Sequence, residues 1–233
     1  MKLGVMQPYF LPYLGYWQLM NLVDVYVIFD DVNYIKRGWI ARNRIKMNGE
    51  AVRFGFQVSH ASQNRRICDH ERAGGPDEIR RMERELHTAY AHAPQFERVM
   101  PVMETILRNP QRNLADWLCD SIYRIAEYAG IHTVFMRSSE IEYDRIGNGQ
   151  DKILSLCEVL GATTYINAIG GRGLYVRDRF ASRGIDLRFL EMNDVTYPQG
   201  PGEFIPSMSI VDVMMWNGPE DMRRLLTEYT LRD

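Results

Sequence analysis

The chain has 233 residues, 45% of them hydrophobic and 25% charged, and carries a formal net charge of -2 at pH 7. The length suits one hydrophobic core, the composition excludes a disordered chain, and the charge balance gives no general attraction to nucleic acid or to an anionic membrane. Any anion site must therefore be local. Cys68, Cys119 and Cys157 are widely spaced and form no C-x-x-C pair, so neither a disulfide framework nor a structural metal is expected. No apolar run is long enough to span a bilayer, and Pro8 and Pro12 interrupt the opening run too early for a secretory leader. These features predict a cytoplasmic protein with no membrane partner.

Along the chain, residues 1–7 form a short apolar run stopped by Pro8, which reads as a buried strand. Residues 13–22 read as a helix, and 25–29 (VYVIF) as a second strand ending at Asp30 and Asp31. Strand, helix and strand in this span make one βαβ unit. Residues 39–58 are strand-like on both sides of Asn48-Gly49, a dipeptide suited to a tight hairpin turn. The polar stretch 59–76, rich in Gly, Asn and Arg, is expected to be a mobile loop able to act as a lid. Helical periodicity marks 77–93, 96–107 and 114–128, the last stopped by Gly130. A strand at 132–136, a helix at 151–160, a strand at 163–169, a helix at 174–182 and a strand at 185–190 follow. Helices at 209–216 and 220–229 close the chain. The alternation predicts a single three-layer α/β domain over residues 1–233. Its sheet is mainly parallel and Rossmann/HUP-like, with an inserted antiparallel hairpin and a helical segment.

Two clusters carry chemistry. Residues 7–16 (QPYFLPYLGY) lie between the first strand and the first helix, where ligands of open α/β sheets bind, and offer four aromatic rings beside a helix amino end. The same rings would serve equally as core. Residues 30–44 (DDVNYIKRGWIARNR) gather four cations and two carboxylates around Tyr34 and Trp39 beyond the second strand. Arginine grips phosphate or carboxylate at two points and lysine adds a compact charge; a self-neutralising solvated hairpin is the plainer alternative. Gly170-Gly171-Arg172-Gly173 can turn backbone N–H groups around an anion, although it matches neither a Walker loop nor a dinucleotide fingerprint. His60, Cys68 and His70 have no zinc-like spacing, and Ser207, Ser209 and Asp212 lack a histidine partner for a triad.

The segments QPYFLPYLGYWQL and FDDVNYIKRGWIARNRI closely resemble the opening signature of the WbqC-like protein family. Weaker similarity runs through HTAYAHAPQF, YINAIGGRGLYVRDRF and Ser209-Ile210-Val211-Asp212. Asn167-Ala168-Ile169-Gly170 departs from the Ser-Gly turn expected of the family there. The resemblance implies a role in surface-polysaccharide (O-antigen) or secondary-metabolite biosynthesis in bacteria, with transfer of glycine or another aminoacyl group to a sugar amine as the leading activity. A looser comparison sets Tyr13-Leu14-Gly15-Tyr16 against the H-x-G-H of HUP-type nucleotidyltransferases, with tyrosine, neutral at pH 7, at both histidine positions.

The site expected from this reading is that of a small-molecule transferase. Asp30 or His87 would take a proton from the attacking amine and Lys36 would hold donor charge. Gln7, Tyr13, Tyr16, Arg37, Trp39, Arg42, Asn43, Gly170, Gly171 and Tyr175 would bind substrate or anion. A nucleotide, a nucleotide-linked sugar or an activated aminoacyl compound would serve as donor, its identity left open together with aminoacyl-tRNA use and oligomer formation. The rivals are a HUP-type adenylate-forming enzyme and a non-catalytic pathway scaffold.

Overall fold

The structure is a computed structural model that describes residues 1–233. Six strands form the main sheet: β1 (Lys2–Met6), β2 (Val25–Ile28), β5 (Val134–Arg137), β6 (Thr164–Ala168), β7 (Asp186–Met192) and β8 (Tyr229–Arg232). Between β2 and β5 the chain makes a separate hairpin of β3 (Arg42–Met47) and β4 (Glu50–Gly55). The sheet order is β5-β2-β1-β6-β7-β8, parallel except for the β7–β8 pair. Among the sheet strands alone this is the doubly wound 3-2-1-4-5-6 order. The chain leaves β1 toward β2 on one side and later returns to β6 on the other, so the topological switch point lies between β1 and β6.

Helices cover both faces. On one face, Leu3, Val5, Val27, Tyr165, Leu187 and Phe189 pack with α5 (Gly149–Leu160) and α6 (Arg177–Ala181) in a core that includes Ile153, Leu154, Cys157 and Phe180. On the other, Tyr26, Ile28, Ile166 and Leu190 join a larger core. That core is built with α1 (Leu14–Leu22), α2 (Pro76–Tyr90), α3 (Phe96–Arg108), α4 (Leu114–Ala129), α7 (Ile210–Trp216) and α8 (Pro219–Leu225). The hairpin packs into this second core through Ile45 and Phe54. Burial on both sides explains why these strands read as continuous apolar runs rather than alternating ones. Asn48 (φ 54°) and Gly49 (φ 80°) turn the hairpin in the left-handed region, as the dipeptide predicts.

Three expectations change, two of them in element bounds. The closing helix ends at Leu225, and Tyr229–Arg232 becomes β8, paired antiparallel with β7 from Met192↔Tyr229 to Phe189↔Arg232. The β-prone Tyr-Thr-Leu run follows the helix too closely for periodicity to separate them. The helix expected at 174–182 starts only at Arg177, because Ile169–Leu174 is a 3-10 helix.

The polar stretch 59–76 is not a free lid. Its backbone is tied to both neighbours: Tyr34 N–H donates to Arg65 C=O, Ile67 N–H to Val32 C=O, Cys68 N–H to Asp30 C=O, and Leu114 N–H to His70 C=O. Ile67 and His70 are fully buried. The His70 ring pairs through Nδ1 with Arg66 C=O at 2.7 Å, accepts Ser62 N–H at Nε2 at 3.1 Å, and lies 4.9 Å from the Tyr34 ring. Nδ1 as donor and Nε2 as acceptor require the neutral imidazole. Burial moves the His70 pKa below its ordinary value. In the window between that lowered folded value and the unfolded value of about 6.5, the unfolded chain binds the proton first. Stability from His70 is thus complete above about pH 6.5 and is lost as pH falls through the folded value. Urea unfolding at about pH 7.5 and pH 5.5 should show this loss in the native chain and a smaller one in His70→Gln.

Candidate functional site at the switch point

The site begins with the turn between β1 and α1. Pro8 and Pro12 cannot donate from their backbone, and Leu11 sits at φ 45°. The carbonyls of this turn are therefore held by donors from elsewhere. Tyr16 Oη donates to Gln7 C=O (2.8 Å) and Trp17 Nε1 to Pro12 C=O (3.0 Å). Asn43 Nδ2 donates to Phe10 C=O and Leu11 C=O (3.1 and 2.7 Å), and Ser209 Oγ donates to Leu11 C=O (2.8 Å). Phe10 N–H in turn donates to Trp39 C=O at 3.0 Å, which joins the two signature segments. A Cβ on Gly15 would lie 2.6 Å from the Tyr13 ring, so the bare glycine is what lets that ring lie over the helix start.

Beside this turn a cleft of about 850 Å³ opens at the carboxyl ends of β1 and β6, within the range of small-molecule sites. Gln7, Tyr9 and Tyr13 line one side, Ile35 and Trp39 the rim, and Asn167, Gly170, Gly171 and Tyr175 the opposite side. The amino end of α5 (Asn148, Gly149, Gln150) and Arg179 complete the wall. Asn148 caps α5 with a capping box shared with Asp151. Asp151 accepts from Arg179 at 2.6 Å. Asn167 Nδ2 donates to the hydroxyls of Tyr165 (2.6 Å) and Tyr175 (2.8 Å), which fixes the floor. Gly171 is close to this floor: an added Cβ would meet Asn167 Oδ1 at 3.0 Å. Gln7 Oε1 is enclosed with no partner, an unfilled acceptor on the cleft wall.

Of the residues expected to act, Gln7, Tyr13, Trp39, Gly170, Gly171 and Tyr175 line this cleft. Asn43 and Tyr16 hold the turn from behind, and Asn43 also borders a smaller pocket next to the cleft. Lys36 and Arg37 are exposed outside the lining. Arg42 folds back onto its own loop, donating to the carbonyls of Gly38 and Arg37, with its guanidinium 5.9 Å from the Trp39 ring. His87 is exposed on α2, its ring edge-on to Phe96 at 5.3 Å, outside the cleft lining.

Asp30 also lies outside the lining, fully buried. Oδ2 accepts Arg137 Nε and Nη2 (2.9 and 2.7 Å) and Ser139 Oγ (2.8 Å); Oδ1 accepts Ser139 N–H (3.0 Å) and Ser138 Oγ (3.1 Å). Asp31 accepts from Ser138 Oγ (2.5 Å), Tyr143 Oη (3.0 Å) and Arg145 Nε (2.7 Å). The acidic pair thus ties the end of β2 to the segment after β5. Asp212 is likewise buried and accepts from Tyr90 Oη, Tyr197 Oη and Gln199 Nε2 at 2.9, 2.8 and 2.7 Å. Burial raises its pKa above the ordinary carboxylate value, and these donors oppose the rise. No three His, Cys, Asp or Glu side chains converge as a metal ion would need.

Sequence reasoning missed Asn148, Gly149, Gln150 and Arg179. The signal was present: Asn148-x-x-Asp151 is a capping pair that moves the helix start back to the cleft edge.

Fold and cleft together define a doubly wound α/β domain with a small-molecule-sized cleft at its switch point. The chain belongs to the WbqC-like protein family, whose sequence model matches residues 7–224. It is similar to a protein of Mycobacterium tuberculosis (strain ATCC 25618 / H37Rv) named Uncharacterized protein Rv1507c, 27% identical over 222 residues, 94% of this chain and 95% of that protein. No solved structure matches it.

Replacing Asp30 tests its structural part. Asp30→Ala should lower stability by about 1–3 kcal/mol, because the Ser139 N–H and Arg137 Nε donors lose their buried acceptor while Arg137 keeps Asp116 as a charge partner. Chemical denaturation measures the loss. A variant as stable as the native chain would overturn this structural reading.

Proposed function

We propose that the chain is a small-molecule transferase that holds an activated, anionic donor in the switch-point cleft. The observation that carries this reading is the joining of three features in one cavity of about 850 Å³. These are the glycine-rich 3-10 turn, the amino end of α5 with Arg179 beside it, and the aromatic wall of Tyr9, Tyr13 and Trp39. Backbone N–H groups at a helix start suit phosphate or a developing oxyanion, and the rings suit a base or sugar face. The unfilled Gln7 Oε1 offers an acceptor to a donor group on the ligand.

The lining contains no carboxylate and no histidine. The chain's part in catalysis is therefore binding, orientation and charge stabilisation, with the nucleophile arriving ready to react. Transfer of an aminoacyl group such as glycine to the free amine of a sugar, in surface-polysaccharide biosynthesis, is the finer reading that the family resemblance supports. The absence of a base in the cleft favours a second reading, adenylate formation, because a carboxylate attacking an α-phosphate has no proton to give up and the chemistry is mostly positioning and electrostatics.

A thermal-shift panel of ATP with magnesium, nucleotide sugars and aminoacyl donors tests the proposal. At about a hundredfold excess over Kd a true ligand stabilises by about 2.7 kcal/mol, which raises Tm by about 5–10 °C in a chain of this size. Gly171→Val, which crowds Asn167 and the cleft, should abolish the shift, with the melt of the unliganded variant confirming that it folds. Pyrophosphate release with a candidate acid marks adenylate formation, and amide formation with an amino sugar marks aminoacyl transfer. A panel without any shift overturns the transferase reading.

A further inference from the structure

A second, smaller pocket of about 170 Å³ opens next to the switch-point cleft, lined by Tyr9, Pro12, Tyr13, Trp39, Asn43, Arg44 and Ser207. Tyr9, Tyr13 and Trp39 line both spaces, so these rings form the partition between them. The volume falls below the range of whole small-molecule sites and suits one functional group.

Its distinctive member is Arg44. The Nε of Arg44 is enclosed and has no hydrogen-bond partner. Other arginines at the walls and ends of the sheet are answered by acids: Arg137, Arg145 and Arg179 each hold a carboxylate within 3 Å. Arg72, whose Nε is also unpartnered, instead lies 3.9 Å over the Trp117 ring and outside the lining of both cavities. Arg44 holds none, and directly opposite it in the β3–β4 ladder stands a second arginine, Arg53, an unfavourable like-charge pairing. The sequence supplies no relief nearby, since residues 32–49 contain five cations (Lys36, Arg37, Arg42, Arg44, Lys46) and no acid. Lys46 is turned away, donating to Glu203 C=O at 2.8 Å. A half-buried arginine whose Nε has no partner, on the wall of a group-sized pocket and with no carboxylate in ion-pair contact, is a receptor for a planar or tetrahedral oxyanion.

We infer that Arg44 forms an anion subsite that takes a carboxylate or a single phosphate group of the second substrate, across the Tyr9–Tyr13–Trp39 partition from the donor. The inference deepens the transferase reading: the group to be modified enters beside the donor, anchored by its own negative charge. The aromatic partition keeps the two charged groups apart while their reacting ends meet at its edge.

Heteronuclear NMR on protein labelled with ¹⁵N-arginine tests this, because the enclosed Arg44 Nε–H gives its own resonance, assigned by its absence in Arg44→Gln. Sodium phosphate and sodium acetate are titrated separately at constant ionic strength. The expected result is a saturable shift of the Arg44 resonance with at least one anion. Binding, followed in parallel by calorimetry, should weaken tenfold or more in Arg44→Gln and less in Arg44→Lys, which keeps the charge and loses the fork. Saturation by phosphate alone identifies a phosphorylated second substrate, and by acetate alone a carboxylated one. Thermal melts of both variants confirm that they fold. Shifts that rise linearly without saturating, or affinity unchanged in Arg44→Gln, overturn the subsite. Failure of the nucleotide and donor panel with this titration intact would remove the transferase reading and leave the anion subsite standing.

Discussion

The structure turns on a shortage of backbone donors in the segment after β1. With Pro8 and Pro12 unable to donate and Leu11 in the left-handed region, the turn cannot satisfy itself. Tyr16, Trp17, Asn43 and Ser209 supply the missing donors from α1, the hairpin and the cap of α7. A buried carbonyl left without a partner costs about 1–3 kcal/mol, so the turn is rigid only while all three elements are in place. Tyr9 and Tyr13 ride on that turn, and with them the wall of both cavities. The same logic explains why aromatic and amide residues crowd the signature: several of them are hydrogen-bond donors first and cleft residues second.

Charge is partitioned in a matching way. Around the ends of β2 and β5, two buried acids are each answered by an arginine, Asp30 by the mostly buried Arg137 and Asp31 by the more exposed Arg145. Such networks are costly to break and position the chain with little slack. From there through the first strand of the hairpin, residues 32–49 carry five cations and no acid. A protein of near-neutral overall charge thus presents one uncompensated basic segment, and that segment borders the two cavities.

Much of this was legible in the sequence. The Asn48-Gly49 turn fixed the hairpin, and the alternation of apolar runs with 3.6-periodic stretches fixed a mainly parallel sheet, because strands buried on both faces leave that pattern. Tyr13, Trp39, Gly171 and Tyr175 could be read as one site, since strand ends in parallel sheets share an edge. What the sequence hid was the state of the charges. Asp30 and His87 look alike on paper as proton acceptors, yet one is saturated by donors that arrive from more than a hundred residues away and the other faces solvent. Likewise the 59–76 stretch has the composition of a mobile loop, and its order comes from backbone pairing with distant segments that no local window contains. The strand β8 was lost for a related reason: its four residues acquire their identity only from β7.

The central position of β1 also sets an order of assembly. β1 finds β2 within a few dozen residues, but its other neighbour is β6, so that Leu3 pairs with Val25 early and with Tyr165 late. Gln18 on α1 waits longer still, for the carbonyls of Leu225 and Glu228, as Leu11 waits for Ser209. On a ribosome the segment that bears the signature emerges before most of the partners that complete its hydrogen bonds. Contacts this far apart in the chain slow folding and prolong the exposure of unpaired strand edges. The nascent chain therefore carries an open β1 edge from the synthesis of β2 until that of β6, and a chaperone that shields apolar strands would find its binding site there.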